Sequence, residues 1–419
     1  MADYTAPRGT RDVLPSESAK WQFLEEMFRK ACALHGYREL RTPTFEHTEL
    51  FTRNLGETTD VVSKEMYTFE TRGGKSLTLR PEGTAPAIRA FVEHGLSGAL
   101  PVTKLYYVAR LFRYERPQAG RYREHTQLGV EALGATDPAI DAEVISLAAT
   151  FFASVGVGNA ELKLNSIGCP ECRPGYREAL KSFAGDRVSE LCPTCATRYE
   201  QNPLRMLDCK VPSCKQILAD APKMTDHLCE DCKGHFESVK KYLTALGITY
   251  TLDPKLVRGF DYYTKTAFEF VSGELGAQNA VGGGGRYDNL VKEIGGPDTP
   301  GIGFGLGMER LLLTLEAMGV ELPCACPTDV YVIGLGANAH EAAVKLVADL
   351  RASGLAADMD YTGRSMKSQM KVVDKLGARF AAILGDDEIA GGFVSLRDMR
   401  SSEQKQVMIA DLAETLLSF

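Results

Sequence analysis

Two apolar, β-rich runs on either side of a strongly charged segment limit the fold more than any other feature of the chain. The segment from 112 to 131, "FRYERPQAGRYREHTQLGVE", contains four arginines, three glutamates and a histidine. Residues 105–113 and 126–133 have the composition and length of adjacent antiparallel strands, and residues 117–120 supply the connecting loop. Arg113 and Glu115 would then lie on the same face of one strand. The pattern predicts an antiparallel sheet with charges concentrated at one end of a hairpin.

The composition excludes several classes of protein. The chain has 419 residues, of which 44% are hydrophobic and 25% charged, which is enough for a buried core and for more than one domain. Its net charge of -7 argues against non-specific coating of nucleic acid, because such binding depends on many Lys and Arg contacts to phosphate. The N-terminal residues lack an apolar signal region, and no run reaches the roughly 18 apolar residues of a membrane span. We therefore expect a soluble cytoplasmic protein without a membrane partner.

The order of β-rich and helical stretches divides the chain into a sheet, an interruption and a further domain. The β-rich runs continue to about residue 133, a cysteine-rich stretch interrupts the pattern, and strand-like "TAFEFV" (266–271) resumes it. The segment "ELPCACPTD" (321–329) has the proline content of a linker, and β and α segments alternate after it. We predict an α+β chain with domain bounds at 1–167, 168–240, 241–322 and 329–419.

Apolar periodicity and capping residues predict four helices, over 16–35, 139–155, 338–353 and 364–377. The first has Ser16 as its N-cap and Gly36 as its stop. Its predicted buried face comprises Phe23, Leu24, Met27, Phe28, Ala31 and Leu34.

The charged hairpin allows two interpretations. Neighbouring Arg and Glu side chains often pair on an exposed strand without any further role. Arginine also suits bidentate binding of phosphate, and charges on a half-buried sheet require partners. Taken alone, the hairpin leaves both interpretations open.

Further segments, in order along the chain, resemble the class II histidyl-tRNA synthetases. The hairpin is similar to motif 2 of that class, "GIGFGLGMERL" (301–311) to motif 3, and "RTPTFEHTELF" (41–51) to the dimer-forming motif 1. "LVRGFDYYTKT" (256–266) and "AVGGGGRYDNL" (280–290) resemble the two histidine-specific signatures, and "TLRPEGTAP" (78–86) and the N-terminal "PRGTRD" also match. The resemblance covers essentially the whole chain. It implies a class II antiparallel-sheet catalytic core with a Cys-rich insertion (168–240) and a C-terminal α/β anticodon-binding domain (329–419).

The resemblance assigns the arginines to ATP. Activation of an amino acid brings its carboxylate to the α-phosphate of ATP, so fixed cations must offset the repulsion between anions. It implies that Arg113 holds the α-phosphate, that Arg310 holds the γ-phosphate, and that Arg258 bridges the substrate carboxylate and the α-phosphate. Arg258 and Arg113 are thus the expected catalytic residues, with ATP and Mg²⁺ as cofactors. The implied ATP-binding set is Arg113, Glu115, Arg121, His125 and Arg310, with His125 standing where the family usually has a Phe that stacks on adenine.

The resemblance also implies a pocket for L-histidine. Glu82, Thr84 and Gln127 match the positions around the α-ammonium group, and Glu131 and Tyr263 match those facing the imidazole. A site that pairs with both ring nitrogens can reject analogues better than an apolar slot can. The implied histidine-binding set is Glu82, Gly83, Thr84, Gln127, Glu131, Arg258, Tyr262, Tyr263 and Tyr287.

The glycine runs lie beside these residues in the sequence. Glycine permits positive φ and close approach of the backbone to a ligand, so the run 282–285 would form the floor of a small pocket. Neither this run nor the second run, "GIGFGLG" (301–307), fits the spacing of a P-loop or a dinucleotide-binding fold. A flexible turn is the alternative interpretation of each run.

Two regions are predicted to contact tRNA(His). Arg116 and Gln118 match family positions that approach the acceptor end. Lys367 and Lys371, followed by Lys375, recur every four residues and form one basic stripe if the segment is helical. A solvated helix face is the alternative to an RNA-binding one.

Eight of the eleven cysteines lie between Cys169 and Cys232, where a chain without a secretion signal favours metal ligation over disulfides. The spacing of the first two pairs is typical of a structural Zn²⁺ site built from four thiolates. The predicted ligands are Cys169, Cys172, Cys192 and Cys195, and a second site is predicted from Cys209, Cys214, Cys229 and Cys232. A reduced cluster without metal is the alternative.

The resemblance therefore implies a homodimeric ligase that adenylates histidine with ATP and transfers it to the 3′ end of tRNA(His). A non-catalytic paralogue that regulates ATP phosphoribosyltransferase is the first alternative, although such paralogues usually lack the C-terminal domain and the arginines. A general RNA-binding module is the second, and it leaves the carboxylates of the pocket without a purpose.

Overall fold

The computed structural model describes residues 4–53, 59, 61–273, 280–323 and 328–419. It divides into two compact units, one of Met1–Val13 with Trp21–Leu322 and one of Leu14–Lys20 with Pro323–Phe419. The predicted α+β class, with an antiparallel core and a further α/β domain, is confirmed. Among the described residues, no helix has the length and apolar character needed to cross a membrane. The domain bounds at 167, 240 and 322 stay predictions.

The first unit is built on an eight-stranded, mostly antiparallel sheet and a separate three-stranded sheet. The large sheet has the order β1-β5-β6-β11-β10-β9-β7-β8, and the small one the order β2-β4-β3. The strands are β1 (Arg38–Glu39), β2 (Phe45–His47), β3 (Tyr67–Glu70), β4 (Ser76–Leu79), β5 (Thr103–Phe112), β6 (Glu124–Leu133), β7 (Glu161–Ser166), β8 (Thr251–Leu252), β9 (Thr264–Val271), β10 (Ala280–Arg286) and β11 (Gly301–Gly307).

Helices cover the large sheet and fill the cysteine-rich insertion. Apolar side chains of α1 and α4 pack with the central strands in one continuous core. The helices are α1 (Pro15–Leu34), α2 (Thr48–Thr52), α3 (Thr84–Glu93), α4 (Ala139–Ser154), α5 (Arg173–Ala184), α6 (Pro193–Gln201), α7 (Pro212–Ile217), α8 (Glu230–Ala245), α9 (Leu290–Glu293) and α10 (Met308–Ala317). Short 3₁₀ helices span Leu96–Gly98, Gly185–Glu190, Pro203–Asp208 and Met224–His227, and a π-helical turn spans Val61–Glu65.

Helix α1 differs from its prediction at both ends. It begins at Pro15, whose fixed φ suits the first helical position, so Ser16 lies inside the first turn. Trp21 is buried, whereas Leu34, predicted to face the core, is 82% exposed. Leu34 is the last helical residue, and the chain turns at Gly36 with φ 78° before it reaches the sheet.

The predicted hairpin is present, but both strands begin two residues earlier than predicted and β5 also ends one residue earlier, while β6 ends at Leu133 as predicted. β5 pairs with β6 from Thr103 opposite Leu133 to Phe112 opposite Glu124. Arg113 and Glu115 therefore lie beyond the strand, and their prediction as neighbours on one strand face is wrong. The backbone N–H of Arg113 still donates to Arg123 O at 2.8 Å, so the two loop arms remain joined past the end of the ladder.

The second unit contains a five-stranded sheet of order β13-β12-β14-β15-β16 with its own apolar core. Its strands are β12 (Val330–Gly334), β13 (Ala357–Met359), β14 (Phe380–Leu384), β15 (Phe393–Asp398) and β16 (Gln404–Met408). Its helices are α11 (Ala337–Ala352), α12 (Met366–Leu376), α13 (Asp386–Gly391) and α14 (Leu412–Leu417), with a 3₁₀ turn at Ile409–Asp411. The helices predicted at 338–353 and 364–377 are confirmed as α11 and α12, and α12 ends at Gly377 with φ 65°.

Candidate active site

A cavity of about 430 Å³ lies in the first unit, against strands β6, β9, β10 and β11 and the segment 256–263. Charged and aromatic side chains dominate its wall. The predicted residues that line it are Glu82, Thr84, Arg113, Glu115, Arg121, Gln127, Arg258, Tyr262, Tyr263, Tyr287 and Arg310.

The three arginines singled out from the sequence meet at this cavity, although 197 residue numbers separate the first from the last. Arg113 Nε donates to Pro81 O at 2.7 Å, and its guanidinium lies 5.7 Å from the centre of the Phe260 ring. Arg310, in the first turn of α10, donates from Nη1 to Ala280 O at 2.8 Å. Backbone carbonyls thus fix the direction of two of the cations.

Arg258 is held differently. Its Nη1 donates to Glu269 Oε1 at 3.3 Å, and its guanidinium lies 5.5 Å from the centre of the Tyr263 ring. Its Nε is buried and, within the described part of the chain, has no hydrogen-bond partner. Buried polar groups are rarely left unpaired in native proteins, so the unpartnered Nε marks Arg258 as a candidate functional residue.

A buried carboxyl group lies behind the tyrosines of the cavity wall. Tyr107 donates its hydroxyl to one oxygen of Glu131 at 3.1 Å, and Tyr287 donates to the other. Glu131 is only 1% exposed and is not part of the lining. Burial raises the pKa of Glu131 to about 8, although the hydrogen bond from Tyr287 acts in the opposite direction. Glu131 therefore orients the hydroxyl groups of Tyr107 and Tyr287, and both of these tyrosines line the cavity.

Glu82 occupies the start of helix α3. Its two oxygens accept the backbone N–H groups of Thr84, at 2.8 Å, and Ala85, at 2.5 Å. Burial raises the pKa of Glu82, while these two hydrogen bonds counteract the rise. Gly83 does not line the cavity; a Cβ there would lie 2.3 Å from a carbon of the Tyr107 ring. A glycine at 83 is required to make room for that ring.

The glycines of β10 and β11 serve close packing rather than unusual backbone angles. Gly303 and Gly305 lie in a regular strand, and their φ angles are not positive. A Cβ at Gly303 would lie 2.0 Å from Glu131 Oε2, and one at Gly305 would lie 2.4 Å from Gln127 Nε2. Likewise, a Cβ at Gly283 would approach Arg258 Nη1 to 2.7 Å. The interpretation as flexible turns is wrong, because both runs are paired strands in the large sheet.

The hairpin supplies the remaining predicted residues. Glu115 and Arg121 form an ion pair at 3.0 Å on the cavity wall. His125 is not part of the lining; burial and the charges of Arg113 and Arg310 lower its pKa to about 3, so its ring is neutral. Arg116 and Gln118 are exposed near the loop tip, where Gln118 pairs with Arg121 across Gly120.

Sequence reasoning missed several residues of the cavity wall. Glu269 stands in the apolar strand "TAFEFV", and that isolated charge was a usable signal. Tyr107 carried no signal, because an aromatic residue in an apolar strand is usually part of the core. Arg198 and Arg205, which also line the cavity, come from the insertion, whose contact with this site follows only from the tertiary structure.

Comparison with known proteins places the chain in a family. A family model described as histidyl-tRNA synthetase matches residues 9–311, and a model described as anticodon binding domain matches residues 329–419. The chain belongs to the histidyl-tRNA synthetase family. Class II synthetases of this kind use ATP and Mg²⁺, and Glu115 and Glu269 provide carboxylate oxygens of the type that Mg²⁺ prefers at the cavity wall.

Curated histidine–tRNA ligases match this chain over nearly their full length. The histidine–tRNA ligase of Caldanaerobacter subterraneus is 52% identical over 411 residues, covering 98% of this chain and 99% of the relative. That of Moorella thermoacetica is 55% identical over 409 residues, covering 97% and 96%. The structure of apo Staphylococcus aureus histidyl-tRNA synthetase superposes with a TM-score of 0.84 at 40% identity, covering 99% of both chains.

The cysteines of this family member form two groups, but not the predicted ones. The outer cluster comprises Cys169, Cys172, Cys229 and Cys232, and the inner cluster comprises Cys192, Cys195, Cys209 and Cys214. In each cluster the four sulfur atoms lie within 4.8 Å of one another. The predictions that Cys169 and Cys172 join Cys192 and Cys195, and that Cys209 and Cys214 join Cys229 and Cys232, are therefore both wrong. Spacing identifies which cysteines form a pair, but the fold of the intervening chain decides which pairs meet.

The basic stripe of the second unit is present on helix α12. Lys367, Lys371 and Lys375 are all exposed there, at successive intervals of four residues. Gln369 and Val373 face the interior from the opposite side of the helix. The stripe thus lies on the solvent side of an amphipathic helix, as the spacing predicts.

Proposed function

We propose that the chain is a histidine–tRNA ligase, which activates L-histidine with ATP and transfers it to the 3′ end of tRNA(His). The observation that carries this proposal is the convergence of Arg113, Arg258 and Arg310 on one cavity with a tyrosine-lined wall. The family of the chain supports the same reaction. In the domain arrangement we propose, 1–167 and 241–322 form the catalytic core, 168–240 the insertion and 329–419 the anticodon-binding domain.

The activation step joins two anions. A carboxylate oxygen of histidine attacks the α-phosphorus of ATP, the bond to the β-phosphate oxygen breaks, and pyrophosphate leaves. We assign Arg258 to the point where both anions meet, because its buried Nε is an unused donor and its Nη1 is already held by Glu269. A pre-oriented cation at this point stabilises charge as it develops on the phosphorus.

Two further cations position the nucleotide. We assign Arg113 to the α-phosphate and Arg310 to the γ-phosphate, since each is oriented by a backbone carbonyl and needs no rearrangement when ATP binds. Mg²⁺ bound with ATP neutralises part of the phosphate charge. Glu115, Arg121 and His125 complete our ATP-binding set, and the neutral ring of His125 suits an aromatic contact with adenine.

Histidine recognition combines fixed acceptors with oriented hydroxyls. We assign Glu82, Thr84 and Gln127 to the α-ammonium group, because Glu82 keeps lone pairs beyond the two that accept backbone N–H groups. We assign Tyr262, Tyr263 and Tyr287 to the imidazole side of the pocket, with Glu131 orienting Tyr287 from behind. Gly83 contributes by making room for Tyr107.

We assign two surfaces to tRNA(His). Arg116 and Gln118, at the exposed tip of the hairpin, are placed to meet the acceptor end, which must enter the cavity for the transfer step. Lys367 and Lys371 on α12 provide phosphate-binding cations on the anticodon side. Because aminoacylated tRNA is consumed in translation, we place the reaction in the cytoplasm.

We also propose that the chain acts as a homodimer. Phe45 on β2 and Phe69 on β3 are 50% and 44% exposed, and their rings meet edge to face at 6.2 Å. An exposed aromatic pair beside the motif 1-like segment suits a subunit interface. In light scattering after size exclusion, the wild type should have twice the chain mass, and Phe45→Glu with Phe69→Glu should have the mass of one chain. Leu246→Glu, at an exposed apolar residue elsewhere, should leave the dimer intact.

Histidine-dependent exchange between ATP and pyrophosphate tests the ligase proposal. The wild type should exchange with histidine and not with the other amino acids. Arg258→Gln should lower kcat by about 10- to 150-fold with little change in the KM for histidine, because a charged hydrogen bond made in the transition state is worth roughly 1.5–3 kcal/mol. Arg29→Gln, the same change on an arginine paired with Glu25 outside the cavity, should match the wild type. A normal kcat with a raised KM in Arg258→Gln would refute the role of Arg258.

The same assay separates the regulatory alternative. A solved structure titled as an ATP phosphoribosyltransferase regulatory subunit/histidyl-tRNA synthetase from Bacillus halodurans has a TM-score of 0.66 at 21% identity, which shows the fold alone. No observation on the described cavity favours that reading, because the three arginines are present and oriented. Histidine binding without any exchange would favour it.

A further inference from the structure

The sulfur atoms within the two cysteine clusters are spaced as ligands of one ion rather than as disulfides. Cys169 Sγ lies 3.5 Å from Cys172 Sγ and 3.9 Å from Cys229 Sγ, and Cys192 Sγ lies 3.8 Å from Cys209 Sγ. A disulfide requires about 2.05 Å. A tetrahedral Zn²⁺ with bonds of about 2.3 Å places its sulfurs about 3.8 Å apart. The separations therefore fit two four-thiolate sites.

Backbone donors support thiolates at both clusters. The N–H of Cys229 donates to Cys172 Sγ at 3.1 Å in the outer cluster. In the inner cluster, the N–H of Cys192 donates to Cys214 Sγ at 3.2 Å and that of Cys195 to Cys192 Sγ at 3.4 Å. Four thiols that bind one Zn²⁺ release four protons and leave a net charge of −2, which such donors stabilise.

The insertion has little else to hold it together. Its two apolar cores contain eight and six buried residues, of which five are cysteines of the clusters, and the other three cluster cysteines pack against these cores. Domains of this size often require metals or disulfides, because their cores are too small to offset the entropy of folding. The outer cluster joins the start of α5 to the start of α8, and the inner cluster closes the chain between them.

The insertion also holds the segment that carries Arg258. Arg205, between Cys195 and Cys209, donates to Arg258 O at 3.1 Å, and Asn202 donates to Asp261 Oδ1 at 2.8 Å. Arg173, directly after Cys172, donates to Tyr263 O. Arg173 directly follows Cys172, and Asn202 and Arg205 lie in the segment between Cys195 and Cys209, so the folds around both clusters determine where the donors lie.

We propose that each cluster binds one Zn²⁺ and that the two ions, through Arg173, Asn202 and Arg205, hold the segment 256–263 in place at the cavity. The ions thus position Arg258 for histidine activation without entering the cavity themselves. The kinetic test of this inference rests on the proposed ligase function, whereas the tests by metal analysis and hydrogen exchange do not.

Metal analysis tests the sites. Full-length protein grown with zinc should contain two Zn²⁺ per chain, and cobalt-substituted protein should show the thiolate charge-transfer absorption of tetrahedral Co²⁺. Cys232→Ser and Cys195→Ser should each lower the zinc content to one, and Cys32→Ala, at a buried cysteine outside both clusters, should keep two. Zinc-supplemented wild type without bound zinc would overturn the inference.

Hydrogen exchange and kinetics test the coupling. Removal of zinc should speed amide exchange in peptides that cover 256–263 and leave those of 329–419 unchanged. Asn202→Ala with Arg205→Ala should keep two Zn²⁺, show the same faster exchange in 256–263 and lose at least about tenfold in kcat. Unchanged exchange in 256–263 after zinc removal would overturn the coupling. If the wild type shows no histidine-dependent pyrophosphate exchange while the zinc and amide results hold, the ligase proposal fails and this inference stands.

Discussion

The hydrogen bonds of Glu131 show how a single buried carboxyl group can orient the side chains around a polar pocket. Its two oxygens accept hydrogen bonds from the hydroxyl groups of Tyr107 and Tyr287. Tyr107 lies in strand β5, and Tyr287 directly follows strand β10. The three groups form a closed network with very little solvent contact. Such networks orient their members more firmly than separate hydrogen bonds do, because each group fixes the rotamer of the next.

Replacing Glu131 by Gln should change how stability depends on pH. Burial raises the pKa of Glu131 to about 8, whereas an unfolded Glu titrates near 4.3, so between these values the folded form binds the extra proton. The contribution of Glu131 to stability is therefore full at low pH and is lost as pH rises toward 8. In urea unfolding at pH 5 and pH 8, the wild type should lose at least about 1.4 kcal/mol relative to Glu131→Gln, which corresponds to one pKa unit. Parallel curves would contradict the raised pKa.

The alternate glycines of strand β11 leave space for side chains of the neighbouring strand β6. Gly303 pairs with Glu131 and Gly307 with Gln127 in the ladder with β6. The polar side chains of β6 occupy the volume that larger residues on β11 would fill. Strand β11 thus keeps a regular backbone and leaves the space that the Glu131 side chain occupies.

Gly303→Ala should damage this surface. The added Cβ would lie 2.0 Å from Glu131 Oε2 and 2.3 Å from the backbone O of Val130, so both the carboxyl group and the strand must shift. We expect at least a tenfold loss of kcat/KM for histidine in pyrophosphate exchange and a loss of about 1–3 kcal/mol of stability. Gly175→Ala, on a helix with open space around the Cβ position, should be neutral or stabilising by up to about 1 kcal/mol. Equal behaviour of the two variants would contradict the packing argument.

Three elements of the first unit meet at a buried ion network. Arg286 on β10 and Asp141 on α4 are both 0% exposed, and Arg286 Nη2 donates to Asp141 Oδ2 at 2.5 Å. His235, on α8 at the end of the insertion, lies 3.0 Å from the other oxygen of Asp141. The network joins the glycine-rich strand to the helix that carries the outer cluster.

Asp141→Ala should be strongly destabilising, because it leaves Arg286 buried with only Asp288 as a carboxylate neighbour on the described network. Breaking a buried pair in this way costs about 3–5 kcal/mol. Glu26→Ala removes an exposed pair with Lys30 and should destabilise the protein far less than Asp141→Ala does. Denaturant unfolding of the first unit, followed by the fluorescence of Trp21, measures both changes. A loss in Asp141→Ala no larger than that in Glu26→Ala would show that the network is not structural.

The whole molecule divides its task between two units with separate cores. The cavity with its arginines belongs to the first unit, and the basic stripe on α12 belongs to the second. We therefore expect substitutions in the basic stripe to affect the use of tRNA without affecting histidine activation.

Lys371→Glu and Lys367→Glu should each weaken the use of tRNA and leave pyrophosphate exchange unchanged. Each lysine that contacts a phosphate adds about 0.7–0.9 to the slope of log affinity against log salt, so each variant should have a raised KM for tRNA and a slope lower by that amount. Lys345→Glu makes the same charge change at an exposed site on α11 and should match the wild type. If all three variants behave alike, only the net charge of the second unit matters.

The local pattern of the chain determined the class of fold and several of its helices and strands. Alternating apolar residues around a charged turn predicted the β5–β6 hairpin, and the helices α4, α11 and α12 followed from periodicity and capping. These features depend on neighbours within one element. The arginines and tyrosines of the cavity came from the resemblance to the synthetase motifs, which short segments of the chain carry.

Tertiary packing alone decided how distant segments meet. Cys172 joins Cys229 rather than Cys192, because the intervening helices fold into two nested groups, and residue spacing contains no information on that choice. Glu131 lies behind the tyrosines, and Arg205 reaches Arg258 from the insertion, for the same reason. Local propensity sets the elements, but contacts between residues far apart in the chain depend on how complete elements pack, since burial and steric fit select one arrangement among many.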